Sequence, residues 1–182
     1  MLTEKELFFD TDCISAFLWI DNTSIITKLY NKSIAIPPQV YNELQSCRGQ
    51  AIVVKERIDL MVSSGDAIIV DMETDSKEYE IYSSLAVSPT SNTSLIGRGE
   101  AACIAMAKER NGILASNNLR DITKYIEEYN LEHITTGDIL VDAYENGMFS
   151  KDEIEGIWRN MLSKRRKLGA QSFEEYLNNK NK

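Results

Sequence analysis

Of the 182 residues, only His133 is a histidine and only Cys13, Cys47 and Cys103 are cysteines. An odd number of thiols without a Cys-x-x-Cys argues against a disulfide framework and against a zinc site. Each cysteine sits in an apolar neighbourhood suited to a buried free thiol. With one imidazole, Ser-His-Asp or Cys-His catalysis would have to use His133, and no Gly-x-Ser-x-Gly elbow is present. At the start of an expected strand, His133 reads as structural. There is no phosphate-binding Gly-x-x-x-x-Gly-Lys loop, and Gly97-Arg98-Gly99 lacks the rest of a dinucleotide fingerprint, which leaves it a flexible lead into a helix. No apolar run approaches the ~18 residues of a membrane span. The opening MLTEKELFFD has neither the basic nor the apolar region of a signal peptide. A cytoplasmic protein with no membrane partner is expected. Basic charge is also scarce: 20 Lys and Arg against 28 Asp and Glu give a net charge of −8. That excludes nucleic-acid binding by bulk charge, and leaves a local basic patch or an acidic cluster held by metal ions.

What is present is an ordinary globular balance, 43% hydrophobic and 26% charged, enough for one sizeable core. Short apolar runs at 7–10, 33–38, 67–70, 113–115 and 133–134 read as strands. Between them, helices are expected at 13–20, from Pro38 onward, at 51–63 ending on Gly65, at 76–86, at 97–110 ending on Asn111-Gly112, and from Leu119. The stretch PTSNTS (89–94) reads as a loop. After HITTG come a helix, then one boxed by Ser150 and Glu153 that carries Trp158, then a short one at 172–177. Strands alternating with helices predict an α/β fold with a mostly parallel sheet of four to five strands, covered on both faces. Trp19, Trp158, Tyr125 and Tyr144 lie at helical spacing among apolar residues and read as core. The basic run KRRK (164–167), the only dense one, reads as a solvated helix end, favourable to the helix dipole, the alternative being positive surface for a polyanion.

In such sheets the crevice lies outside the carboxyl ends of the strands. Asp10 and Asn117 fall at two of these ends, Glu43 lies about a turn into the helix after the second strand, and Glu100 opens the helix before the fourth. Carboxylates without histidine suit hard cations such as Mg²⁺ and Mn²⁺, which prefer oxygen ligands. Phosphoryl-transfer enzymes use such ions to activate water and to hold attacking and leaving oxygens.

Four segments, in order, resemble the motifs of the PIN-domain family of metal-dependent ribonucleases: FFDTDCISAFL, IAIPPQVYNEL, GRGEAACIAMAKE and ILASNNLRDI. The resemblance implies a three-layer α/β/α sandwich, with a nuclease domain over residues 1–147 and a helical extension over 148–182 packed on it. It implies Asp10, Glu43 and Glu100 as metal-binding and catalytic acids, Thr11 as the hydroxyl residue after the first acid, and a metal-activated water attacking RNA. At the position of the family's fourth Asp stands Asn117, read as a neutral site residue whose carbonyl assists the metal. Asn118 reads as the N-cap of the next helix, with Asp121 as its box partner and a further metal-facing candidate. Arg98 and Arg120 flank motif residues and are expected to contact RNA phosphates. The resemblance also allows a toxin neutralised by an antitoxin protein, a homodimer, or a catalytically weakened module that binds nucleic acid or protein.

Overall fold

The computed structural model describes residues 5–88 and 95–180, so the loop expected at 89–94 lies outside the described residues. Five strands, β1 (Leu7–Phe9), β2 (Ile34–Ile36), β3 (Ile68–Ile69), β4 (Ile113–Ala115) and β5 (Glu132–Ile134), form one sheet in the order β3-β2-β1-β4-β5. Every neighbouring pair is parallel. Successive side chains of a strand point to opposite faces. All nine residues of β1, β2 and β4 are nevertheless buried, so both faces of the centre are covered. The cover is helical, and the whole is a three-layer α/β/α sandwich.

The described helices are α1 (Thr11–Trp19), α2 (Ser24–Leu29), α3 (Pro38–Gln45), α4 (Ile52–Ser64), α5 (Lys77–Ala86), α6 (Arg98–Glu109), α7 (Leu119–Tyr129), α8 (Thr136–Glu145), α9 (Lys151–Ser163) and α10 (Phe173–Lys180). Local chemistry places most of them. Pro38 opens α3, Gly65 closes α4 in the left-handed conformation, and Ser76 caps α5 through Tyr79 N at 3.2 Å. The helix α2 carries no such signal, because Thr23 makes no side-chain cap bond; burial of Ile25 and Ile26 holds it instead. The edge strand β3 leaves Ile68 and Ile69 44% and 42% exposed.

Helix α6 is small-residued because it is packed on several sides, against α5, α3 and the strands β1 and β4. Residues 101 to 107 are all buried. Gly112 takes part in the helix stop expected of it, its N–H donating to the Ala107 carbonyl at 2.9 Å, and serves a second purpose as well. A Cβ there would lie 2.5 Å from the Phe8 ring and 2.8 Å from the Glu6 carbonyl, so only glycine lets β4 enter beside β1. The left-handed stop itself is made by Asn111, at φ 50°.

The helices after Gly147 belong to the same apolar core as the sheet. Trp158 and Phe173 are fully buried, with ring centroids 5.9 Å apart, and α9 touches α1 and α8. Tyr125 is buried as expected, whereas Trp19 and Tyr144 are only partly so. Truncating Trp158 should therefore unsettle the whole molecule. Trp158→Ala is expected to lower global stability by about 3–5 kcal/mol, in a single urea transition followed by both fluorescence and circular dichroism. An early separate transition would show instead that 148–182 folds as its own unit.

Candidate metal centre

The chain builds β1, β2 and β3 outward in one direction, then crosses back to lay β4 on the other side of β1. The reversal between β1 and β4 opens a crevice at their carboxyl ends. Asp10 follows β1 there and is 3% exposed. Its N–H donates to the Ala115 carbonyl at 2.9 Å, which continues the β1–β4 ladder by one bond. Its Oδ1 accepts from Thr11 N at 2.6 Å, as the N-cap of α1, and its Oδ2 accepts from Ser116 Oγ at 3.0 Å. Burial pushes the Asp10 carboxyl up to about 7, and the nearby charge of Glu100 adds to this. The hydrogen bonds from Ser116 and Thr11 pull the other way without offsetting it.

Two further acids arrive from helices. Glu43 on α3 accepts from Gly99 N at 3.2 Å and from the Thr11 hydroxyl. Gly99 fits the carboxylate closely here, since a Cβ would stand 3.1 Å from both Glu43 carboxylate oxygens and would press them back by a few tenths of an ångström. Gly97-Arg98-Gly99 is thus a fitted seat for a carboxylate rather than a flexible lead. Glu100 on α6 accepts from Gly97 N at 3.2 Å and from the Asn118 amide. Burial is the main cause that raises its pKa. Asp10, Thr11, Asp12, Glu43, Gly97 and Glu100 line one cavity of about 240 Å³. Asp12 was not singled out in the sequence. The alternation Asp10-Thr11-Asp12 across a helix start was the available signal, because the first turn of α1 keeps all three residues at the strand end.

The two amides after β4 exchange the roles expected of them. Asn118 stands at the N-cap position of α7 but makes no side-chain cap bond. Its Nδ2 donates instead to Glu100 and, at 2.8 Å, to Asp121 Oδ2, so Asp121 is linked to the cavity through Asn118 and is not its box partner. Asn117 is turned toward α8. Its Oδ1 accepts from Thr136 N at 2.9 Å and its Nδ2 donates to Thr136 Oγ1 at 2.8 Å. The amide read as facing the metal has a structural partner, and the one assigned to a cap touches a site carboxylate. His133 is structural: its Nε2 lies 2.8 Å from the Ser116 carbonyl, and burial holds its pKa below the ordinary value. Arg98 and Arg120 are exposed on the first turns of α6 and α7 and line neither this cavity nor the one beside Asn117. The run 164–167 is not merely a solvated helix end, since Arg165, Arg166 and Lys167 line that second cavity with Asp12 and Asn117.

The donor set of the acidic cavity is all oxygen, with four carboxylates and no basic side chain among its lining residues. That is the chemistry of a hard divalent cation. Among the described residues, no three acidic, imidazole or thiol groups stand close enough to form a finished ligand cage. Each of Asp10, Glu43 and Glu100 has both carboxylate oxygens engaged by a protein donor. The residues therefore fit a small cation that keeps several of its waters, as Mg²⁺ does, rather than a dehydrated ion in a closed cage.

A family model described as a PIN domain matches residues 6–182 of this chain. Comparison with curated proteins and with solved structures returned no match.

Because Asp10 titrates near 7 when folded and near 3.8 in its ordinary state, its contribution to stability is complete below about 3.8 and is lost as pH rises through 7. In EDTA, the melting temperature of Asp10→Asn relative to the native protein is expected to rise as pH goes from acid to alkaline through neutrality. Mg²⁺ or Mn²⁺ added above neutral pH should raise the melting temperature of the native protein and leave Asp10→Asn unmoved. Parallel profiles for the two proteins would contradict an ionisation cost at Asp10.

Proposed function

The chain belongs to the PIN-domain family, and on that premise we propose that it is a ribonuclease that uses Mg²⁺ or Mn²⁺ to hydrolyse RNA phosphodiester bonds. PIN domains are generally dependent on divalent metal. The observation that carries the reading is the convergence of four carboxylates on one cavity at the β1–β4 reversal. Asp10, Glu43 and Glu100 would hold the cation, with Asp12 supplying the fourth charge that Asn117 lacks. The cation, when bound, lowers the pKa of a water and offsets charge on the phosphate.

The chain's own part is positioning. Thr11 and Gly99 fix Glu43, Gly97 and Asn118 fix Glu100, and Ser116 holds Asp10 from the neighbouring strand. Asn118, reaching Glu100 and Asp121 with one amide, sets the orientation of the acids on α6 and α7. Arg98 and Arg120 would meet RNA phosphates approaching over the first turns of those helices. A second reading, an RNA-binding module with weakened catalysis, draws on the same hydrogen bonds, since they engage both oxygens of three of the acids.

Cleavage of a mixed single-stranded RNA pool with Mn²⁺ or Mg²⁺ separates the two readings. The native protein is expected to cut, and Asp10→Asn should lose at least ~100-fold, more than the loss of an outer partner usually costs. Asn118→Ala should lose about 10–100-fold, the range for an orienting residue. Asn117→Asp should change the rate little, because the side chain at 117 is directed to Thr136. Equal silence of native protein and Asp10→Asn, with RNA still bound, would favour the binding module.

A further inference from the structure

The turn after α9 wraps Arg165, Arg166 and Lys167 around a cavity of about 200 Å³, whose other lining residues are Asp12 and Asn117. Asp12 also lines the acidic cavity, so a basic and an acidic cavity adjoin at one side chain. Their placement follows from how α9 stops. Lys164 is its C-cap, the Arg165 N–H donates to the Leu162 carbonyl at 2.8 Å, and the Arg166 N–H donates to the Met161 carbonyl at 3.1 Å. This is the Schellman pattern, in which the residue after the cap is left-handed and usually glycine. Here it is Arg165, at φ 60°. A guanidinium thus occupies a backbone position where glycine would be unstrained, and strain of that kind points to a use for the side chain.

Arg166 is fixed differently from its neighbours. It lies 5.8 Å over the Trp19 ring and donates to Ser15 Oγ at 3.3 Å, which ties the turn to α1. Arg165 and Lys167 are exposed. None of the three is in an ion pair among the described residues. In a chain of net charge −8, three adjacent unpaired cations facing one cavity form a local anion site.

We propose that this turn binds the sugar-phosphate backbone of the RNA strand that the acidic cavity acts on, with Arg165 and Lys167 contacting phosphate oxygens and Arg166 positioning the turn. The identity of the strand as substrate rests on the ribonuclease reading; the binding itself does not. A phosphodiester drawn into the acidic cavity continues into a neighbouring nucleotide, and the adjoining basic cavity is placed to receive the next phosphate. Arginine suits this, since its planar fork can hold two phosphate oxygens at once.

The test measures binding of a labelled single-stranded RNA in EDTA by fluorescence anisotropy across a salt titration, with no cleavage involved. Arg165→Gly with Lys167→Ala is compared with the native protein and with Lys77→Ala, Lys108→Ala. Lys108 lies in the last turn of α6, away from the site, Lys77 opens α5 and lines a cavity with Glu109 and Arg110, and neither lysine lines the acidic or the basic cavity. Glycine at 165 removes the charge while suiting the positive φ, so the melting temperature of the turn variant should be held or raised. Its RNA affinity should fall on the order of tenfold at low salt, and the slope of log affinity against log salt should shrink by about 1.4, or ~0.7 per lost contact. The control pair should bind like the native protein. The proposal is overturned if the turn variant keeps native affinity and slope, if the control pair loses as much, or if the native protein binds no RNA. A native protein that binds through the turn but fails to cleave with added metal would remove the ribonuclease reading alone.

Discussion

A carboxylate taken out of water must be given partners or lose its charge, and the central strand does this to Asp10. The arrangement around it follows from that demand. The order of the sheet puts β4 beside β1, and the residue after β4 is Ser116, whose hydroxyl reaches the second Asp10 oxygen. The start of α1 supplies Thr11 N to the first. These bonds do not fully offset burial, as the displacement of Asp10 to about 7 shows, and Glu100 nearby makes the deficit larger. Negative charge is therefore gathered at some cost to the metal-free fold. That cost is intelligible where a cation is to be held.

The bonds that aim the acids also join the layers. Glu43 links α3 to α1 through Thr11 and to α6 through Gly99. Glu100 links α6 to the segment after β4 through Asn118. Asn117 fastens the same segment to α8, and Arg166 fastens the turn after α9 to α1. Polar groups that would be liabilities in an apolar core act here as struts, because each finds a partner from a different element. The site is thus held by several elements at once, which a constellation needing sub-ångström placement requires.

Sequence reading finds what is local and misses what is tertiary. The buried strands announce themselves as short apolar runs, and Gly65, Ser76 and Ser150 mark helix ends by chemistry that acts within a few residues. Asp10, Glu43 and Glu100 could be placed at one sheet edge because strand-helix alternation fixes where the carboxyl ends fall. For the pair Asn117-Asn118 the sequence suggests partners that the structure does not show. Spacing makes Asn118 the N-cap of α7 and leaves Asn117 to the site, but their bonds are decided by Glu100 and Thr136, residues 18 and 19 positions away. Glycine roles are legible only in part: Gly112 is the helix stop it looks like, but its closeness to Phe8 and the seat that Gly99 gives Glu43 depend on what approaches from another element. KRRK looked like a solvated end because nothing in the run shows that the turn folds back onto α1 beside Asp12.

The two cavities give the net charge a meaning that composition alone conceals. A chain at −8 should repel a polyanion at long range, and only within about a Debye length does local charge govern. Inside that distance the strand would meet two surfaces of opposite sign. The basic turn is attractive as the chain stands, whereas the acidic cavity attracts phosphate only once positive charge is held between its carboxylates. Asp12, at the boundary, faces both demands: it adds to the charge that attracts a cation and stands among the three side chains that attract the anion. Affinity drawn from so few cations is modest and strongly local. On the proposed RNA-binding reading, discrimination would then come from geometry, from how closely a strand crosses from one cavity to the next, rather than from an extended basic face.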